Sequence, residues 1–132
     1  MSAIAKGSFT VELKPQSKAV ALDGVSLGRM SLTKELAGDI VGKSSGQMLT
    51  ALTPTKGSAG YVAIERVSGT LDGKRGSFVL QHSGTMHEGQ QTLSISVVPE
   101  SGTGALVGIE GVLKLEVVDG NHNYELEYTL PK

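Results

Sequence analysis

The chain has 132 residues, with 12 Lys and Arg against 13 Asp and Glu, and it contains neither cysteine nor tryptophan. This length fits one domain, residues 1–132, able to bury enough surface without a disulfide or metal staple, and the missing cysteines exclude thiolate chemistry. Balanced charge without a basic stripe, and three Tyr plus two Phe as the whole aromatic set, leave no electrostatic footprint or stacking platform for nucleic acid.

At the N-terminus, MSAIAKGSF lacks the apolar core of a signal peptide. No later run approaches the roughly 20 apolar residues of a membrane helix, so no membrane partner and a cytoplasmic location are expected. Phe9, Val11 and Leu13 then alternate with Thr10, Glu12 and Lys14, the period of a strand with one buried face. The segments 26–37 and 40–53, bracketed by Asp23-Gly24 and Gly38-Asp39, also read as strands. Ser44, Ser45, Gly46 and Gln47 give neither face of the second a claim to the core, so no register can be read there. A longer loop follows near Pro54–Gly60.

Beyond that loop the turn chemistry fixes the pairing. A two-residue Asp72-Gly73 turn sets Leu71 opposite Lys74, and therefore Val67 opposite Phe78, Glu65 opposite Leu80 and Ala63 opposite His82. The Glu88-Gly89 turn sets Met86 opposite Gln91, Gly84 opposite Leu93, His82 opposite Ile95 and Leu80 opposite Val97. After the irregular segment 100–111, Leu113, Leu115 and Val117 alternate with Lys114 and Glu116, and Asp119-Gly120 aligns Leu115 with Tyr124 and Leu113 with Leu126. Each turn independently brings the apolar sets onto a common face. About eight one-sided antiparallel strands result. Closure into a single barrel removes their edges; a two-sheet sandwich is the alternative.

The segment SGTGALVGIEG (101–111) poses a separate question, because glycine-rich loops after strands often cradle phosphates. A dinucleotide loop must open a helix, whereas here VLKLEVV continues as a strand, and there is no Walker lysine. The run Gly102-x-Gly104-x-x-x-Gly108-x-x-Gly111 followed by LKLEV instead resembles the glycine pattern before a late barrel strand in allene oxide cyclases, and more loosely in dirigent proteins. Together with GTLDGKRGSFVLQHSG (69–84), it also resembles a bacterial family of unknown function in the same barrel superfamily, and this likeness spans most of the chain. The resemblance implies an all-β, allene oxide cyclase-like closed barrel whose elongated interior confines an apolar molecule. It carries no catalytic residue onto this chain.

The registered hairpins put Tyr61, Glu65, Phe78, His82 and Met86 on the inner wall, with Tyr124 and Tyr128 also inward. These seven are the candidate ligand-binding residues. Glu65 lies one diagonal from His82. A carboxylate and an imidazole on an apolar wall need each other when buried, so they form either a structural hydrogen bond or a tuned acid/base couple. The tyrosine hydroxyls likewise need partners, whether from the core or from a ligand. His87 and His122 sit at turns and are expected in solvent, and the three histidines share no metal-ligating spacing. No metal site or cofactor is expected. Two functions fit: a barrel holding an apolar or amphipathic small molecule, extending to cyclase- or isomerase-like chemistry, or a non-catalytic interaction or scaffolding protein with a filled barrel. An interior void of about 300 Å³ or more reaching solvent near His82 separates the two. Val62, Ile64 and Val79 share the opposite face, from which a homo-oligomer, dimer or trimer, is expected.

Overall fold

Residues 2–131 are described by the structure, a computed structural model. The strands are β1 (Ala3–Pro15), β2 (Val20–Leu22), β3 (Val25–Gly38), β4 (Ile40–Leu52), β5 (Ala59–Leu71), β6 (Lys74–His87), β7 (Gln90–Val97), β8 (Glu110–Val118) and β9 (Asn121–Thr129), with a 3-10 turn at Gly104–Leu106. Neighbours pair antiparallel from β3 through β9, β9 pairs with β1, and β1 pairs back onto β3. Eight strands thus form a closed barrel, as the alternation predicts, and the sandwich is excluded. The short β2 lies along the same edge of β3, beyond the end of β1.

All three hairpin registers are those dictated by their turns. Both loop residues have positive φ in each case: Asp72 49° and Gly73 82°, Glu88 53° and Gly89 82°, Asp119 52° and Gly120 80°. Turns of this kind match the right-handed twist of the strands they join. The pairing that could not be read, β3 with β4, sets Lys34 opposite Ser44, Leu32 opposite Gly46 and Met30 opposite Met48. Its illegibility has a steric cause. Gly46 faces inward opposite Glu65, and a Cβ there would come 2.8 Å from the Glu65 Cβ. The inner face of β4 is small because a neighbour occupies its space.

The glycine-rich segment is structural. Gly104 and Gly108 hold φ of 59° and 83°, and a side chain on Gly102 would strike the Leu106 carbonyl. These bends let the chain dock along the part of β6 that β7 leaves unpaired. Val98 N donates to Val79 O at 2.8 Å, Val79 N to Ser101 Oγ at 3.0 Å, and Thr103 N to Ser77 O at 2.8 Å. Leu106 and Ile109, both 1% exposed, are thereby driven into the end of the barrel. They complete a core with Ile40, Leu71, Phe78 and Leu126. Among the described residues the opposite end has no such plug. At the seam, β7 and β8 share a single ladder pair, Ser96 with Val112.

Candidate functional site

A buried ionic cluster separates the plugged end from the open one. Glu65 on β5 is fully enclosed, at 0% exposure, and His82 on β6 is 4% exposed. His82 Nε2 lies 2.6 Å from Glu65 Oε1, so the expected diagonal contact is direct. Two further groups complete the cluster. Lys34 Nζ donates to Oε1 at 2.9 Å, and Ser44 Oγ donates to Oε2 at 2.6 Å. Lys34 is itself 8% exposed, with its ammonium 4.8 Å from the Phe9 ring centroid.

Burial by itself pushes the Glu65 carboxyl up. The His82 hydrogen bond, the Lys34 charge and the Ser44 hydroxyl outweigh it and hold the group down at about 2. At neutral pH Glu65 is therefore a carboxylate and accepts every one of these bonds. Since a carboxylate oxygen cannot donate, the His82 nitrogen facing it carries the proton. Among the described residues, no enclosed side-chain nitrogen or oxygen lacks a partner.

Sequence reasoning missed Lys34 and Ser44, which lie on the two strands whose register was unreadable. A signal for Lys34 exists nonetheless: it interrupts the inward series Met30, Leu32 and Leu36, a lysine where the period requires an apolar residue.

The other candidates divide between the two ends. Phe78, 1% exposed, belongs to the plugged core. The Tyr124 hydroxyl donates to Ala37 O at 2.8 Å and accepts from Ile40 N at 2.8 Å, locking the β3–β4 turn. The Tyr128 hydroxyl bonds Asp72 in the β5–β6 turn. Burial, reinforced by this carboxylate, pushes the Tyr128 phenol up to about 12. Tyr61 and Met86 lie at the open end. The Tyr61 ring sits 6.4 Å from that of His82, and burial, then the Glu65 charge, raise its phenol. His87 is exposed, as expected. His122 is not: it faces inward and is half-buried, its ring 5.3 Å from Phe9, because β9 starts directly after the turn.

The space inside is distributed just as unevenly. Around Phe9, Lys34, Glu65, Phe78 and Tyr124 only about 10 Å³ is open to a molecule the size of water. At the open end a recess of about 160 Å³ is lined by Met48, Leu52, Ala59, Tyr61, Gly84 and Met86. This falls short of the 300 Å³ expected of a ligand-filled bore. A larger hollow of about 730 Å³ lies against β1, β3, β4 and β5, lined mostly by outward side chains such as Thr33, Lys43 and Arg66 but also by Lys34 and Ser44 of the cluster. None of the seven residues singled out from the sequence lines it. No group of three or more His, Asp or Glu able to hold a metal occurs among the described residues, nor any helix long and apolar enough to cross a membrane.

Fold and site together define a small closed β-barrel with a charged belt across its interior. The family model for "Protein of unknown function (DUF3224)" matches residues 5–128, and the chain belongs to that family. The crystal structure of a DUF3224 protein of unknown function from Shewanella oneidensis MR-1 is similar at 45% identity, with a TM-score of 0.96 over 100% of this chain and 99% of that one. No curated protein matches the sequence.

Proposed function

We propose that the protein binds a small apolar or amphipathic molecule at the open end of the barrel, rather than along its whole bore. The carrying observation is the recess between Met48, Tyr61 and Met86: it is walled almost entirely by apolar atoms, yet no segment among the described residues fills it. An apolar cavity of about 150 Å³ accommodates benzene. A recess of about 160 Å³ therefore suits one ring, or the apolar tip of a longer molecule. A place in the allene oxide cyclase-like superfamily belongs to this proposal, supported by the glycine run and the closed eight-stranded topology.

The test is a thermal-shift screen of single-ring metabolites and their short-chain derivatives. A binder at about 100 times its Kd adds about 2.7 kcal/mol of stability. Replacing Ala59 with Trp should fill the mouth and abolish the shift while the barrel stays folded. A screen with no stabilising compound would remove the proposal.

A second reading, the filled barrel of an interaction protein, is favoured by the packing around Glu65, where almost no space is left. Self-association belongs to it. Val62 and Ile64 are each 50% exposed on the outer wall beside Leu49, at 56%, while Val79 is half-covered. Sedimentation showing only a 13.7 kDa monomer at micromolar concentration would count against self-association.

A further inference from the structure

Resting on the second reading, in which the protein self-associates, we infer which surface joins the copies. Two chains stack the outer walls of β3, β4 and β5 face to face, as a dimer whose two-fold axis runs across the strands.

The first observation is β2. Eight strands close the barrel without it, and none of its three side chains is buried. Val20 and Leu22 are 67% and 74% exposed, on the same outer face as Leu27 at 57%. The register carries this surface across the sheet. Val20 lies opposite Leu27, Leu27 opposite Ala51, and Ala51 opposite Gly60. One row further along, Arg29 lies opposite Leu49 and Leu49 opposite Val62. Ile64 ends the surface, two residues beyond Val62 on β5. Among these residues Arg29 carries the one charge. At ~4.8 Å between strands and ~3.4 Å per residue, the wall covers roughly 20 Å by 25 Å, on the order of 500 Å². Two copies together then bury about the 1,000 Å² that a specific interface must clear. Exposed aliphatic residues elsewhere do not form such a surface: Ile4 and Val112 are separated by Glu127.

The second observation is the relief of this wall, which fits a copy of itself. Leu49 and Val62 make a ridge over β4 and β5, and Ala51 and Gly60 make a trough beside it. A two-fold axis lying in the interface, across the strands and between these two rows, reverses the strand direction of the second copy. Each ridge then enters the trough of the other copy, at the ~10 Å spacing of packed sheets. An axis along the strands would set ridge against ridge. Gly60 supports the first arrangement, because the fold itself does not require a glycine there. Its φ is not positive, and a Cβ would come no closer than 3.7 Å to any other residue. A glycine inside a strand weakens it, and it often marks a place where another backbone approaches closely. The room left by Gly60 lies on the outer wall, where the ridge of the second copy enters.

Sedimentation equilibrium of the full-length protein should give twice the 13.7 kDa monomer mass at micromolar concentration. Gly60→Val places a good strand former where the barrel has room for it and fills the trough. It should raise the dimer Kd about tenfold or more without lowering the thermal stability of the monomer. Leu49→Arg on the ridge should weaken the dimer as much, because it buries a charge in the contact. Val112→Arg, on β8 across the barrel, should leave the mass unchanged. Dilution of methyl-labelled wild-type protein should move the Leu49 and Val62 signals and leave those of Ile4 and Val112 in place, a readout that needs no variant. A monomer at every concentration would overturn self-association and this inference together. A trimer, a dimer that persists in both Gly60→Val and Leu49→Arg, or dilution shifts confined to Ile4 and Val112 would overturn the inference alone.

Discussion

The two ends of this barrel are built from the same inward alternation and come to opposite results. At one end Ile40, Leu71, Phe78 and Leu126 are sealed by Leu106 and Ile109, and two tyrosine hydroxyls are bonded into turns. At the other, Leu52 is 56% and Met86 38% exposed around a recess, and the Tyr61 hydroxyl makes no hydrogen bond among the described residues. Apolar inward residues make a core only where another piece of chain covers the end. The glycine-rich segment provides that cover once, and the belt of Lys34, Ser44, Glu65 and His82 marks where its influence stops.

Substitutions should expose this division. The largest effect is expected at the belt: Lys34→Met strands a buried carboxylate and should cost about 3–5 kcal/mol by urea denaturation. Adding Glu65→Leu should recover part of that loss, since the uncompensated charge disappears. At the plugged end, Leu71→Ala should cost about 2–5 kcal/mol, whereas Met86→Ala at the open end should cost well under about 1 kcal/mol. Equal losses would erase the distinction between the ends.

Acid provides a third test. The Glu65 carboxyl is held at about 2 against an ordinary 4.5. A carboxyl depressed by folding contributes stability that is complete above its unfolded value and is lost as pH falls toward its folded value. Between about pH 4.5 and 2 the wild type should therefore lose on the order of 3 kcal/mol through this group, and Glu65→Gln should lack that component of the pH dependence. The tyrosine hydroxyls carry the contrast between the ends on a smaller scale than the belt or Leu71. Tyr128→Phe, which unpairs Asp72, should cost about 1 kcal/mol, and Tyr61→Phe close to nothing.

Much of the barrel and half of its belt were legible in the sequence, for identifiable reasons. Asp-Gly and Glu-Gly turns admit few geometries, so the pairing of 63 with 82, and with it the Glu65–His82 contact, followed from loop length. Lys34 and Ser44 were hidden because the strand carrying Ser44 is small and polar on both faces, with Gly46 yielding its inner space to Glu65. The contrast between the ends was hidden for a different reason. It depends on where residues 98–109 dock, and that contact, to Ser77 and Val79 on β6, is long-range and leaves no periodic trace. The inward face of Tyr124 and Tyr128 was readable; their bonding partners in the distant turns were not.

The central claim, one sealed end and one receptive end, is tested most directly by methyl NMR. Titrating anisole or benzyl alcohol into the labelled protein should shift the Met48 and Met86 methyl signals and leave those of Ile40 and Leu71 in place, because only the first pair lines open space. Shifts at Ile40 and Leu71, or none at Met48 and Met86 for any single-ring compound, would contradict it.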